Sequence, residues 1–227
     1  SEYKTIHGIH VQALASDPSN LGSGQVWYNT TSNQLKITAV STSGAWATGG
    51  NMGTARDALG GAGTQTAALG FGGRAPSITN ATEHYNGSVW TAGGNMGTAR
   101  RNLAGAGTQT SGLAFTGETP SYTNVTEHYD GSAWTSGGNM ATAREYLGGA
   151  GTQTAGLAFG GKSSSVTNTT EHYNGSVWTS GGNMATARYS LAGCGTQTAG
   201  LAFGGNTPSL TNATEHYDGS AWTAGGN

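Results

Sequence analysis

A repeat of 44 residues limits what this chain can fold into. Almost every residue recurs in register, and four complete copies run from Gly49 to Asn227. A copy reads Gly-Gly-Asn-Met-x-Thr-Ala-Arg-x-x-Leu, then Gly-x-Gly-Thr-Gln-Thr, a short apolar run, Thr-Asn-x-Thr-Glu-His-Tyr, and Asn/Asp-Gly-Ser-x-Trp-Thr. A single unit of this length cannot bury a core by itself, so the copies are expected to stack on one another. The interval is marked by Trp46, Trp90, Trp134, Trp178 and Trp222.

Each copy predicts four short strands and no helix. In the second copy the extended segments are residues 102–106, 112–117, 123–129 and 133–136. An Asn-Gly or Asp-Gly pair separates the third and fourth segments in every copy, which predicts a hairpin with a two-residue primed turn. Four antiparallel strands in a unit of this length are typical of a propeller blade, so the sequence predicts an all-β propeller.

Residues 1–48 decide the number of blades. Residues 3–14, 25–28, 34–40 and 45–48 can be interpreted as the four strands of a diverged blade, which would give five blades in one propeller with residues 49–227. The alternative is a four-bladed propeller at residues 49–227, preceded by an attachment segment at residues 1–48. An incomplete or oligomeric ring is a third interpretation.

Composition excludes several classes of protein. The chain has 41 glycines but only 4 prolines in 227 residues, so it is not collagen-like. Nine basic and 11 acidic side chains give a formal charge of -2, which does not fit a nucleic-acid-binding surface. The apolar runs are far shorter than the ~20 residues that span a bilayer, so no membrane insertion is predicted. One cysteine excludes an internal disulfide.

The repeat resembles that of kelch-type β-propellers. The likeness is carried by a Gly-Gly pair that closes the second strand, Glu-x-Tyr on the third, a Trp five residues after that Tyr, and an Arg after the fourth. It covers residues 46–227 and implies a propeller in which the repeated Arg and Glu hydrogen-bond within or between blades. Thr116-Gly117 departs from the Gly-Gly pattern, so a β-branched side chain must fit at a close approach there.

The N-terminal stretch resembles a segment of bacteriophage tail and fibre proteins, especially marine ones. It reads Gly-Gln-Val-Trp-Tyr-Asn-Thr-Thr at residues 24–31, Gln-Leu-Lys-Ile at residues 34–37 and Gly-Ala-Trp at residues 44–46. This resemblance covers less than a quarter of the chain. It implies a virion protein whose partners include other tail proteins, with residues 1–48 as a virion-attachment segment in the four-bladed alternative.

Most repeated polar residues are expected to be structural. The histidine on the third strand occurs once per blade, so the ring separates the copies too widely for one metal site. The repeated glutamates are too symmetric to nominate a catalytic pair. No catalytic residue, metal or cofactor is predicted. The residues expected to be structural are Arg56, Arg100, Arg144, Arg188, Glu83, Glu127, Glu171, Glu215 and the five tryptophans.

The positions that differ between the copies predict a binding face. They follow the repeated Arg or lie in the loop after the second strand, and in antiparallel blades both connections emerge on one side. Loops on a rigid scaffold often carry recognition, although drift at unconstrained positions explains the variation equally well. The candidate residues are Asp57, Arg74, Arg101, Asn102, Glu118, Glu145, Tyr146, Lys162, Tyr189 and Asn206.

These inferences predict a non-enzymatic phage tail or fibre component whose propeller binds a host cell-surface glycan or protein. A free, extracellular, multivalent lectin and a purely structural virion decoration are the alternatives. Near-identical blades would let a lectin gain affinity by avidity. The sequence is also compatible with a homo-oligomer.

Overall fold

The computed structural model describes residues 2–6, 9–18, 25–37 and 47–226. These residues contain strands, turns and irregular segments, and no helix. The chain divides into two compact units, Ser1–Thr48 and Gly49–Asn227.

The second unit consists of four four-stranded antiparallel sheets, which we call repeat sheets one to four. Each strand pairs with the next strand along the chain. This confirms an all-β fold of repeated four-stranded sheets, an arrangement consistent with a propeller. The strands are β5 (Gly60–Thr64), β6 (Ala67–Phe71), β7 (Thr82–Tyr85), β8 (Trp90–Ala92); β9 (Ala104–Thr108), β10 (Ser111–Phe115), β11 (Thr126–Tyr129), β12 (Trp134–Ser136); β13 (Gly148–Thr152), β14 (Ala155–Phe159), β15 (Thr170–Tyr173), β16 (Trp178–Ser180); β17 (Ala192–Thr196), β18 (Ala199–Phe203), β19 (Thr214–Tyr217) and β20 (Trp222–Ala224).

The turn between the third and fourth strands differs from the expected primed turn. In sheet one Gly87 has φ 93°, but Asn86 does not have the positive φ that a two-residue primed turn requires. Instead, Asn86 Oδ1 accepts hydrogen bonds from the main-chain N–H groups of Ser88 and Val89, both at 3.0 Å. The prediction of a primed turn is therefore wrong: the side-chain oxygen closes a four-residue loop in which only the glycine is left-handed.

The apolar core lies between neighbouring sheets. Phe71 of sheet one is fully buried, and its ring lies 5.0 Å from that of Trp134 in sheet two. The same contact recurs between sheets two and three and between sheets three and four. A Cβ atom at Gly105 would clash with the Gly61 carbonyl oxygen and the Phe71 ring, so glycine at this position lets adjacent inner strands approach. Sheets two and three thus each contribute to two interfaces, and sheets one and four each contribute to one.

Polar contacts repeat across the same interfaces. Gln109 Nε2, in the hairpin of sheet two, donates to the carbonyl oxygens of Ala68 and Tyr85 in sheet one, at 2.9 and 2.7 Å. His84 Nε2 and Tyr129 Oη are hydrogen-bonded at 2.7 Å, and Trp134 Nε1 donates to Thr82 Oγ1 at 2.9 Å. The equivalent bonds form at the next two interfaces. The repeated Gln, His and Trp therefore connect the sheets.

The repeated arginines lie in the core, each paired with the glutamate of its own sheet. Arg100 is fully buried, and its Nη2 donates to Glu127 Oε1 at 2.9 Å. Burial lowers the pKa of Arg100 to about 10, so the guanidinium stays charged at neutral pH. The other ion pairs are Arg56–Glu83, Arg144–Glu171 and Arg188–Glu215.

The first unit has one sheet of different topology. Its strands are β1 (Glu2–Ile6), β2 (Ile9–Leu14), β3 (Val26–Asn29) and β4 (Gln34–Ile37). β1 and β2 are antiparallel, as are β3 and β4, but β2 and β3 are parallel. The expectation of a single inner strand over residues 3–14 is wrong, because this segment forms two strands. Residues 38–40 of the expected third strand and residues 45–46 of the expected fourth, including Trp46, lie outside the described residues, and residues 47–48 form no strand.

Asp17 connects the described parts of this unit. Its Oδ1 accepts from Asn29 Nδ2 at 2.7 Å and from Trp27 Nε1 at 3.0 Å, and its Oδ2 lies 2.7 Å from Lys36 Nζ. The hydrogen bonds from Lys36, Asn29 and Trp27 lower the pKa of Asp17 to about 2. The Asp17 carboxylate thus ties residue 17 to strands β3 and β4.

Candidate binding face

The structure brings the variable residues together in pairs. In each repeat sheet the residue after the buried arginine exchanges two main-chain hydrogen bonds with the residue in the loop after the second strand, at 2.8–3.1 Å. No side chain takes part in these bonds, so the pairing does not depend on which side chains the two residues carry. The pairs are Asp57 with Arg74, Arg101 with Glu118, Glu145 with Lys162, and Tyr189 with Asn206.

Sheets one and two carry an ion pair at this position. Arg74 Nη2 lies 2.6 Å from Asp57 Oδ2 on the exposed surface, and the hydrogen bond from Arg74 lowers the pKa of Asp57. Arg101 Nη2 lies 2.9 Å from Glu118 Oε2, and the hydrogen bond from Arg101 likewise lowers the pKa of Glu118. Both acids are therefore ionised at neutral pH.

Sheets two and three are joined on this face by Glu145. Its Oε2 accepts from Asn102 Nδ2 at 2.7 Å, so the bond crosses from one sheet to the next. Glu145 is buried, which raises the pKa of its carboxyl group, and the neighbouring Glu118 adds to this effect. Of the candidate residues it is the one that belongs to the interior, although its pattern of variation gave no sign of that.

Sheets three and four form an aromatic and basic part of the face. The rings of Tyr146 and Tyr189 lie 6.2 Å apart, and Lys162 Nζ lies 5.6 Å from the centre of the Tyr189 ring. Tyr146 keeps 39% of its surface exposed. An exposed tyrosine beside a second ring and a cation can offer both an apolar face and polar groups to a ligand.

A belt of left-handed residues lies beside the variable pairs. Asn102 has φ 53° and Tyr146 has φ 54°, as do the equivalent residues of the other sheets, at 52–54°. Their main chains connect successive sheets: Asn102 N–H donates to Ala58 O at 2.8 Å, Tyr146 N–H to Asn102 O at 3.1 Å, and Ser190 N–H to Tyr146 O at 2.8 Å. Asn102 is the only residue of the four whose type favours this conformation, so the sequence gave almost no signal for the belt.

Two cavities open among these residues. The first, about 370 Å³, takes the same two positions from every repeat sheet, and we call it the shared cavity. Four leucines form its apolar part, and the belt residues supply the amide of Asn102, the ring of Tyr146 and the hydroxyl of Ser190. Its lining is Ala58, Leu59, Asn102, Leu103, Tyr146, Leu147, Ser190 and Leu191.

The second cavity, about 440 Å³, lies between sheets three and four, and we call it the outer cavity. Three candidate residues line it: Lys162, Tyr189 and Asn206. The remaining candidates, Asp57, Arg74, Arg101, Glu118 and Glu145, line neither cavity.

The leucines of the shared cavity were not predicted from the sequence, because a leucine repeated in every copy indicates core packing and not a ligand site.

The described part of the chain lacks the side-chain groups for a metal site and the kind of helix that crosses a membrane. Among its residues, no three His, Cys, Asp or Glu side chains are grouped so that they could hold a metal ion. Within the same residues, no helix has the length and apolar character needed to cross a membrane. Comparison with protein-family models gives no match, and comparison with curated proteins finds no significantly similar chain.

Proposed function

We propose that this protein is a non-enzymatic component of a phage tail or tail fibre, and that it binds a glycan or protein on the host cell surface. The observation that carries the binding proposal is the shared cavity, which takes a leucine from every sheet, a methyl group from sheet one, and an amide, a phenol ring and a hydroxyl from sheets two, three and four. Apolar and aromatic walls with a few converging polar groups are typical of a small-molecule site. A sugar fits this chemistry, because it offers C–H faces to rings and hydroxyls to amides.

We further propose that the repeat sheets are blades of a kelch-type propeller. The buried Arg–Glu pairs and the Phe–Trp contacts between sheets support this proposal. The parallel pair of strands β2 and β3 favours a virion-attachment role for residues 1–48 over a diverged fifth blade. Residues 1–48 would then join the propeller to other tail proteins.

The non-enzymatic part of the proposal rests on the carboxylates of the face. Glu118 is paired with Arg101, and Glu145 is held by Asn102 in the interior. Glycoside hydrolysis needs two carboxyl groups placed on either side of a bound sugar. Neither glutamate lines the shared or the outer cavity.

The alternative of a free multivalent lectin has a distinguishing consequence. Four equal sites would need the same side chains in every sheet, whereas the face carries different ones. We therefore expect one ligand per chain at the shared cavity, which isothermal titration would measure. Four equal sites per chain would favour the lectin, and detection of the chain in purified virions would favour the tail component.

The binding proposal is tested with a glycan array and the variant Tyr146→Ala. This change removes the aromatic ring that lines the shared cavity and should lower the affinity for any glycan bound on the array by about tenfold or more, because tyrosine side chains dominate many binding sites. The fold should survive, since Ala58 already occupies the left-handed position of Tyr146. The matched control is Asp130→Asn, in a turn that carries Asn in sheets one and three. Binding that survives Tyr146→Ala but is lost on changing Gln109 would overturn the proposal.

A further inference from the structure

The same interface occurs three times within the chain, between sheets one and two, two and three, and three and four. On one side of it lie a phenylalanine, a histidine and two carbonyl groups; on the other lie a tryptophan, a tyrosine and a glutamine. We call the first side the tail face of a sheet and the second side its head face. Every sheet has both faces, because the sequence of every sheet is nearly the same.

Within the second unit, no sheet covers the tail face of sheet four. Phe203 is 41% exposed, whereas Phe71, Phe115 and Phe159 in the other three sheets are fully buried. Cys194 is exposed too, although Ala106 and Ala150 at its position are buried. A large apolar side chain that the other sheets bury therefore lies at the surface here.

The head face of sheet one is also more open than its counterparts. Gln65 is exposed, whereas the equivalent glutamines each bridge to two carbonyl groups of the preceding sheet. Tyr85 and Leu59 are half-buried, whereas the corresponding Tyr129 and Leu103 are buried. The chain thus presents the two halves of its own internal interface, one at each end of the row of sheets.

We propose that a second copy of this chain covers these faces, with the tail face of sheet four in one copy docking on the head face of sheet one in the next. The contacts follow from the internal repeat. Phe203 would pack on Trp90 of the next copy, as Phe159 packs on Trp222. His216 would meet Tyr85, as His172 meets Tyr217 at 2.7 Å.

The glutamine of the head face sets the register of this contact. Gln65 would donate to the carbonyl oxygens of Gly200 and Tyr217 in the neighbouring copy, as Gln197 donates to those of Gly156 and Tyr173, at 2.9 and 2.7 Å. Because the two faces differ, the contact is head-to-tail and repeats from copy to copy. It ends only when the copies close into a ring.

The test uses the full chain and one substitution on each face. Light scattering after size exclusion should give a mass that is a multiple of 22.8 kDa. Phe203→Glu places a charge in the contact, yet position 203 is partly exposed in a single chain, so the variant should fold and be a monomer. Leu210→Glu is the matched control, since Leu210 is 85% exposed, and it should assemble like the wild type.

A mixture of two variants tests the polarity of the contact. Gln65→Glu sets a carboxylate against two carbonyl oxygens and should weaken self-association by about tenfold or more. The Gln65→Glu chain keeps its tail face and the Phe203→Glu chain keeps its head face, so mixing them should give a dimer of one copy each and nothing larger. Cys194 should react with iodoacetamide more slowly in the wild-type assembly than in Phe203→Glu.

Three results would overturn the proposal. The first is a wild-type chain that stays monomeric at every concentration. The second is an assembly that the Phe203→Glu variant forms as readily as the Leu210→Glu control. The third is a mixture of the two face variants that gives no dimer, although circular dichroism shows both to be folded.

Discussion

Replacing Arg100 with leucine should destabilise the protein more than almost any other single change. The guanidinium is fully buried: Nη1 donates to Thr116 O at 3.1 Å and to Val125 O, and Nη2 donates to Glu127 Oε1 at 2.9 Å. In Arg100→Leu the carboxylate of Glu127 stays buried, with the Gly97 N–H at 2.6 Å as its remaining donor. The variant therefore leaves a buried charge without its counter-ion.

Removal of one partner of a buried ion pair costs about 3–5 kcal/mol. In a protein of this size each kcal/mol corresponds to a fall in Tm of about 2–4 °C, so we expect Arg100→Leu to lower Tm by about 6–20 °C. Nε of Arg100 has no hydrogen-bond partner in the described part of the chain, so the wild-type pair itself carries an unsatisfied donor. The double variant Arg100→Leu, Glu127→Leu removes both charges and this donor, and should be more stable than Arg100→Leu.

The coupling between the two side chains is measured by urea unfolding, followed by circular dichroism, of the wild type, Arg100→Leu, Glu127→Leu and the double variant. Arg74→Leu is the matched control, because Arg74 forms a comparable ion pair on the exposed surface, and its Tm should change little. The reasoning is refuted if Arg100→Leu stays within about 1 kcal/mol of the wild type, or if the double variant loses as much stability as the two single variants added together.

Three further predictions concern turns and pH. Asp130→Ala removes the acceptor of the Ser132 and Ala133 N–H groups, each at 2.8 Å, and should lower Tm by a few degrees, whereas Asp130→Asn should leave Tm unchanged in a thermal melt. Burial lowers the pKa of His128 and His172, so the folded state binds fewer protons than the unfolded state; urea unfolding should show stability falling as pH drops below about 6.5. The lowered pKa of Asp17 means that its ionised carboxylate stabilises the first unit at pH values above 3.8, the ordinary pKa of aspartate. This contribution should be lost as the pH falls through about 2. The indole N–H resonance of Trp27, which donates to Asp17, should shift over this pH range, and the shift should be absent in Asp17→Asn.

The repeated sheets could be predicted from the sequence because the signals recur in every copy. The segment predicted at residues 102–106 is strand β9 at Ala104–Thr108, and the other three strands of that sheet overlap their predicted positions. The primed turn was predicted wrongly, since an Asn or Asp side chain can replace main-chain hydrogen bonds in a way that its identity does not reveal.

The candidate site could be predicted only in part. That Arg101 and Glu118 lie on the same face follows from the side on which the loops emerge, whereas their ion pair was not predicted. The burial of Glu145 and the left-handed φ of Tyr146 depend on the neighbouring sheet, which a single copy of the repeat does not contain. The parallel pairing of β2 and β3 was missed for a similar reason, because no repeated copy exists against which residues 1–48 can be aligned.

The main-chain bonds between the variable positions have a consequence for evolution. Asp57 and Arg74, or Tyr189 and Asn206, hold their loops together through N–H and C=O groups that every residue except proline supplies. Point mutations at these codons can therefore alter the charge and shape of the outward surface while leaving the loop closure intact. New side chains can therefore arise at these positions, one sheet at a time, without compensating changes in the main-chain pairing.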